Sequence, residues 1–166
     1  PYAGGTAPSS GAATQAATAA TAPEATGLVL IDTVLGYDGA EAAGTGIVLT
    51  SGGLVLTNNH VVAGSTKIAV TVASTGQTYT GTVVGTDSTD DVAVIQLTGA
   101  SGLSTAAIDD QPATIGDAVT AVGNADGHNA LTAAAGTVTA LSSDVTTSAE
   151  GPAASESLHG MIQISA

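Results

Sequence analysis

Apolar residues come along this chain in short runs separated by glycine-rich turns, and the runs do not begin at the N-terminus. Residues 1–26, "PYAGGTAPSSGAATQAATAATAPEAT", are dominated by Ala, Thr, Gly, Ser and Pro. No periodicity holds there, and little apolar bulk opposes the entropy of the chain. The segment reads as a flexible, disordered tether. An alanine-rich helix around Ala12–Ala20 is the alternative, weakened by its threonines. From Gly27 the texture changes. "LVLIDTVLG" is an apolar run. "TGIVLT" and "LVLT" flank "SGG", and "KIAVTVA" and "TYTGTVVG" flank "STGQ", which predicts two hairpins. "VAVIQL" follows. Short β-branched segments at close spacing, with no long helical pattern between them, predict an all-β domain of antiparallel sandwich or barrel type.

A polar-leaning stretch, "TGASGLSTAAIDDQPATIG", then separates this set from a second one: "AVTAVGN", "LTAAAGTVTAL" and "HGMIQIS". The layout expected is a tether at 1–26, a first β-barrel at 27–103, and a linker with an incomplete second β-barrel at 104–166. "SSDVTTSAEGPAASES" is expected to be a mobile loop. Half a barrel leaves long unpaired edges, which folded proteins avoid. With Pro1 in place of an initiator methionine, the chain is therefore expected to continue at both ends. No helix is expected beyond a turn after His60.

Composition narrows the core and the partners. Cysteine, tryptophan and phenylalanine are absent and 43% of residues are hydrophobic, so Val, Ile, Leu and Ala must build the core. The net charge of −13 arises from 14 acids against a single base, Lys67. Only 9% of residues are charged, against about 25% in typical domains, so the imbalance reflects missing bases rather than added acids. Nucleic acid and anionic membrane surfaces are excluded as partners, because almost nothing neutralises phosphate. No run approaches the ~20 apolar residues of a membrane span, and thiol chemistry is ruled out.

One stretch, "LVLTNNHVV", sets an ionisable ring, His60, between two apolar segments. Downstream, Asp90 and Asp91 open the strand "VAVIQL". With a period of two, Asp91 shares a face with Ala93, Ile95 and Leu97, and Asp90 faces the other way. Asp91 is then the buried carboxylate and Asp90 the solvated one. A buried carboxylate needs a partner, and with one Lys and no Arg the imidazole is nearly the only candidate. His128 and His159 read as a loop and a strand-start histidine. The three histidines lack the close ligand spacings of a zinc site, and no cofactor is called for. Asn124 is assigned no chemistry. Gly44 and Gly46 are not a phosphate loop, since neither a helix nor a lysine follows.

The order His then Asp on a two-barrel β protein is that of chymotrypsin-like enzymes. From about Leu28 to Ala166 the chain resembles trypsin-like serine proteases of the HtrA (Deg) type, closest to the secreted actinobacterial branch. "GTGIVL", "VLTNNHVV", "TDDVAVIQL", "IGDAVTAVGN", "GTVTAL" and "MIQISA" carry the resemblance. It implies a chymotrypsin-like double β-barrel, with His60 as general base and Asp91 as the acid that orients it. It also implies that the nucleophilic serine and its oxyanion-hole amides lie a few residues beyond Ala166; Ser165 is not a candidate. The implied activity is serine endopeptidase action on protein or peptide substrates. The implied location is extracytoplasmic, secreted or envelope-associated, with membrane tethering through an upstream segment. A PDZ module often follows such a domain. The alternative is a pseudoprotease, a barrel kept as a peptide- or protein-binding module. A Gly-(Asp or Asn)-Ser-Gly-Gly segment just downstream separates the two.

Overall fold

The computed structural model describes residues 16–36, 40–125, 127, 129–147 and 156–166. Among the described residues ten strands and one short helix follow each other. Strands β1 (Thr18–Ala19), β2 (Leu28–Leu35), β3 (Ala40–Val48) and β4 (Leu54–Asn58) lead into helix α1 (Asn59–Val62). Strands β5 (Ser65–Val72), β6 (Thr78–Asp87) and β7 (Val92–Leu97) complete the first half. Strands β8 (Ala118–Gly123), β9 (Thr132–Thr147) and β10 (Glu156–Ile164) form the second.

Strands β2 to β7 close into a six-stranded barrel in the order β2-β3-β4-β7-β6-β5. Every pairing in it is antiparallel. Alternation aims Val29, Ile31 and Thr33 of β2, Ile68, Val70 and Val72 of β5, and Ala93, Ile95 and Leu97 of β7 inward. These residues are buried, together with Val48 and Val55. Among the described residues no aromatic ring anchors this core; Tyr79 only packs against it from a partly buried position. β-branched side chains are stiff at χ1 and tile a pleated surface well, so an aliphatic barrel can pack densely without large rings. Two glycines of β3 make that packing possible. A Cβ on Gly46 would sit 2.7 Å from Val55 and 2.9 Å from Ile31, and one on Gly44 would sit 2.7 Å from Val61 of α1.

The second half is an open sheet. Strand β9 pairs with β8, with β10 and with β1. Among its described apolar residues only Ala133 and Val138 are buried, while Leu141, Val145, Met161 and Ile162 are exposed. The all-β class and the closed-plus-open arrangement agree with the sequence reading.

Two stretches differ from it. Residues 1–15 of the expected tether lie outside the described residues, but the tether does not extend to residue 26. Thr18 and Ala19 pair with Ala133 and Thr132, and the Ala20 N–H donates to the Leu131 carbonyl at 2.9 Å. Residues 21–26 then turn, with the Thr21 N–H and Oγ1 both donating to Glu24 Oε2 at 2.7 Å. Backbone pairing needs no apolar bulk, so a test based on side-chain bulk is blind to it. The second difference concerns Ser142–Thr147 and Glu156–Ser157, expected as loop and found as the ends of a long β9–β10 ribbon. The run "SSDVTT" carries no apolar alternation, and a largely exposed ribbon asks for no apolar side. Residues 148–155 of that stretch lie outside the described residues.

Candidate active site

The register between β4 and β7 brings the site together. Thr57 lies opposite Ala93 and Asn58 opposite Val92, so the end of β4 meets the residue just before β7, which is Asp91. Helix α1 starts there. It is short because Gly64, in the left-handed region at φ 70°, turns the chain away. It is held down by buried Val61 and Val62 and by Thr33 Oγ1, which donates to the Val61 carbonyl at 3.0 Å. Asp91 sits at the close of a turn in which Asp87 Oδ1 accepts the N–H groups of Thr89 (2.9 Å) and Asp90 (3.3 Å).

Asp91 is buried as its parity with Ala93, Ile95 and Leu97 implied, and Asp90 is exposed. The route is different from the extended one assumed. Asp91 has φ 51°, a left-handed conformation that Asp tolerates better than most residues. The carboxylate takes three hydrogen bonds. The His60 backbone N–H donates to Oδ1 at 2.8 Å, His60 Nδ1 meets Oδ2 at 2.6 Å, and Asn58 Nδ2 donates to Oδ2 at 3.0 Å. Burial acts to raise the Asp91 pKa. The hydrogen bonds from the His60 backbone and ring, the imidazole charge and the Asn58 amide outweigh it and hold the carboxyl below its ordinary range.

An ionised carboxylate only accepts, so Nδ1 carries a proton and the lone pair of the neutral ring is on Nε2. The His60 side chain is 63% exposed and that of Asp91 is 3% exposed. The arrangement is a base open to the surroundings, braced from within by a fixed anion. It can take a proton from a hydroxyl and return it to a departing group.

The other singled-out residues fall elsewhere. His159 pairs with Asp144 at 3.0 Å across the exposed β9–β10 ribbon. His128 lies outside the described residues. The Asn124 N–H donates to Thr45 Oγ1 at 2.9 Å, and its side-chain amide is buried without a partner among the described residues. Asn58 was missed. Its signal was the amide doublet "NN" directly before His60, which reads from sequence alone as ordinary turn composition.

The trypsin-like peptidase domain family matches residues 44–166. Serine protease PepD of Mycobacterium tuberculosis is 37% identical over 133 residues, which is 74% of this chain and 28% of PepD. The periplasmic pH-dependent serine endoprotease DegQ of Escherichia coli is 37% identical over 103 residues, 61% of this chain and 22% of DegQ. This chain thus spans only about a quarter of the length of these relatives. In fold it resembles the active form of the Rv3671c protease of M. tuberculosis, with a TM-score of 0.66 at 24% identity over 83% of this chain and 59% of that one. It also resembles the HtrA-type protease AlgW, solved with a tripeptide, with a TM-score of 0.62 at 24% identity over 77% of this chain and 39% of that one. A match that takes in both His60 and Asp91, carried on a fold shared with solved HtrA-type proteases, places this chain in the trypsin-like peptidase domain family, among relatives of the HtrA/Deg serine proteases.

Proposed function

We propose that this chain carries the base and the orienting acid of a serine endopeptidase that acts on proteins or peptides outside the cytoplasm. The observation that carries the reading is the His60–Asp91 pair, joined ring to carboxylate at 2.6 Å at the edge of a closed barrel. In this reading residues 27–103 form the first barrel and residues 104–166 contribute a linker and part of the second. The serine and its oxyanion-hole amides follow Ala166. Periplasmic naming of relatives such as DegQ supports the location.

The chemistry follows from the geometry. A serine hydroxyl is a weak nucleophile until a base takes its proton. As its oxygen bonds to the scissile carbonyl carbon, His60 Nε2 takes that proton. Asp91 on Nδ1 keeps the tautomer correct and stabilises the imidazolium. The imidazolium then gives the proton to the leaving amine as the C–N bond breaks, which leaves an acyl ester. Water repeats the sequence, and acid product and free serine are released. No described residue other than His60 and Asp91 is assigned a role in these proton transfers.

The test is hydrolysis of a peptide amide by the full-length protein. Asp91→Asn is expected to lower turnover by about 10⁴-fold through the wrong tautomer, and His60→Ala to abolish it, while Asp90→Asn changes it little. Residues 1–166 alone are expected to be silent. Equal effects of Asp90→Asn and Asp91→Asn would overturn the assignment. Peptide binding by the full-length protein without turnover would identify a binding barrel instead.

A further inference from the structure

We infer that Asn58 is a positioning residue that acts through Asp91, because its amide donates to the same carboxylate oxygen that holds the His60 ring. The inference rests on the proposed roles of His60 and Asp91.

Asn58 occupies the N-cap position of α1, where an asparagine normally turns its side-chain oxygen back onto the first helical N–H groups. It does not do so here: its side chain makes no capping bond. The capping is done from outside the helix by Asp91, whose carboxylate accepts the His60 N–H at 2.8 Å and whose carbonyl accepts the Asn59 N–H at 3.1 Å. Released from capping, the Asn58 amide points at Asp91. Nδ2 lies 3.0 Å from Oδ2 and 3.3 Å from the Asp91 carbonyl oxygen. Both of those atoms are acceptors, so only the NH₂ end of the amide can face them.

Three consequences follow. First, Oδ2 receives two donors, the ring and the amide, and Oδ1 receives one. The plane of the carboxylate is thereby fixed, and with it the plane in which the imidazole must lie. Second, one amide grips both the carbonyl and the carboxylate of a residue held at φ 51°, so the turn and the acid are locked together. Third, the backbone of Asn58 is anchored by its strand pairing opposite Val92, so its amide reaches the carboxylate from a fixed point on the barrel. A carboxylate braced by neutral donors stays ionised and acceptor-only, the state that the Nδ1–H tautomer of His60 requires.

A purely structural asparagine would not touch the titration of Asp91. The experiment follows the Asp91 carboxyl carbon by NMR across the acid range in this chain and in Asn58→Leu and Asn58→Gln. In parallel, kcat and KM are measured for the same variants of the full-length protein. Asn58→Leu is expected to move the Asp91 midpoint upward and to lower kcat about tenfold with KM unchanged. Asn58→Gln, which keeps the donor, is expected to restore most of both. In an Asp91→Asn background Asn58→Leu is expected to add nothing. An unmoved Asp91 midpoint, or an equal fall in activity in both backgrounds, overturns the inference. Should Asn58→Leu fail to fold, Asn58→Ala read by the same titration decides it. A shifted midpoint in a full-length protein without amide hydrolysis would uphold the Asn58–Asp91 coupling and remove the proposed function.

Discussion

A carboxylate with 3% of its side chain exposed, in a chain with a single Lys or Arg, has to be held by the donors its neighbours can supply. Asp91 has three of them within 3.0 Å. This has a thermodynamic consequence. Its pKa is depressed in the folded chain, so the unfolded chain binds more protons as the pH falls. The stabilisation is present in full above the ordinary carboxylate pKa of about 3.9 and is lost as pH falls through the lowered folded value. Acid unfolding followed by circular dichroism is expected to show this loss below about pH 4. Asp91→Asn, which keeps a side chain tolerant of the left-handed backbone, is expected to weaken the dependence. Glu24 and Asp117 also have lowered pKa values, from hydrogen bonds with Thr21 and Thr114, but both remain in the variant and do not account for a difference. Identical acid slopes in the two proteins would show that Asp91 is not the linked group.

Helix α1 is the element on which the site depends, and its seat is a missing side chain. Gly44 of β3 leaves room for Val61, which is buried and, being β-branched, cannot swing aside freely. Adding one methyl at Gly44 forces Val61, and α1 with it, outward from the barrel. Gly44→Ala is expected to cost about 1–3 kcal/mol by thermal or denaturant unfolding and to shift the NMR signals of the His60 ring. Gly85, on β6, has open space where its Cβ would be, and Gly85→Ala is expected to leave both observables nearly unchanged. If the two variants behave alike, α1 is not seated on Gly44.

The two halves of the molecule are unequally buried. The barrel encloses a connected core of valine, isoleucine and leucine, whereas the described part of the second sheet buries only Ala133 and Val138 and exposes Met161 and Ile162. Local opening is easiest where few apolar contacts must break. Amide hydrogen exchange on residues 1–166 is expected to be slowest at Val70 and Ile95 and much faster along β10, with Ala20 protected only as long as its bond to Leu131 holds. Uniform protection across both halves would show that the sheet is as stable as the barrel.

Much of this was legible in the residue pattern. Runs of β-branched residues broken by glycine turns specify short strands wherever they fold, because period two and turn chemistry are local. The hairpins at "SGG" and "STGQ" and the all-β class followed from such local rules, and the burial of Asp91 over Asp90 agreed with strand parity although Asp91 itself takes a left-handed φ just before β7. What the pattern could not supply was pairing between distant segments. The docking of Thr18 and Ala19 on β9 is made by backbone groups, which every residue carries alike. The length of the β9–β10 ribbon likewise depends on its partner strand rather than on its own composition. At the site, sequence parity put Asp91 on the buried side, but only the closure of the barrel, with β4 beside β7, put it against His60. That same closure turned the Asn58 amide from the helix it precedes to the carboxylate it holds. A side chain's partner is set by where the chain returns in space, and that information is spread over the whole barrel rather than written beside the residue.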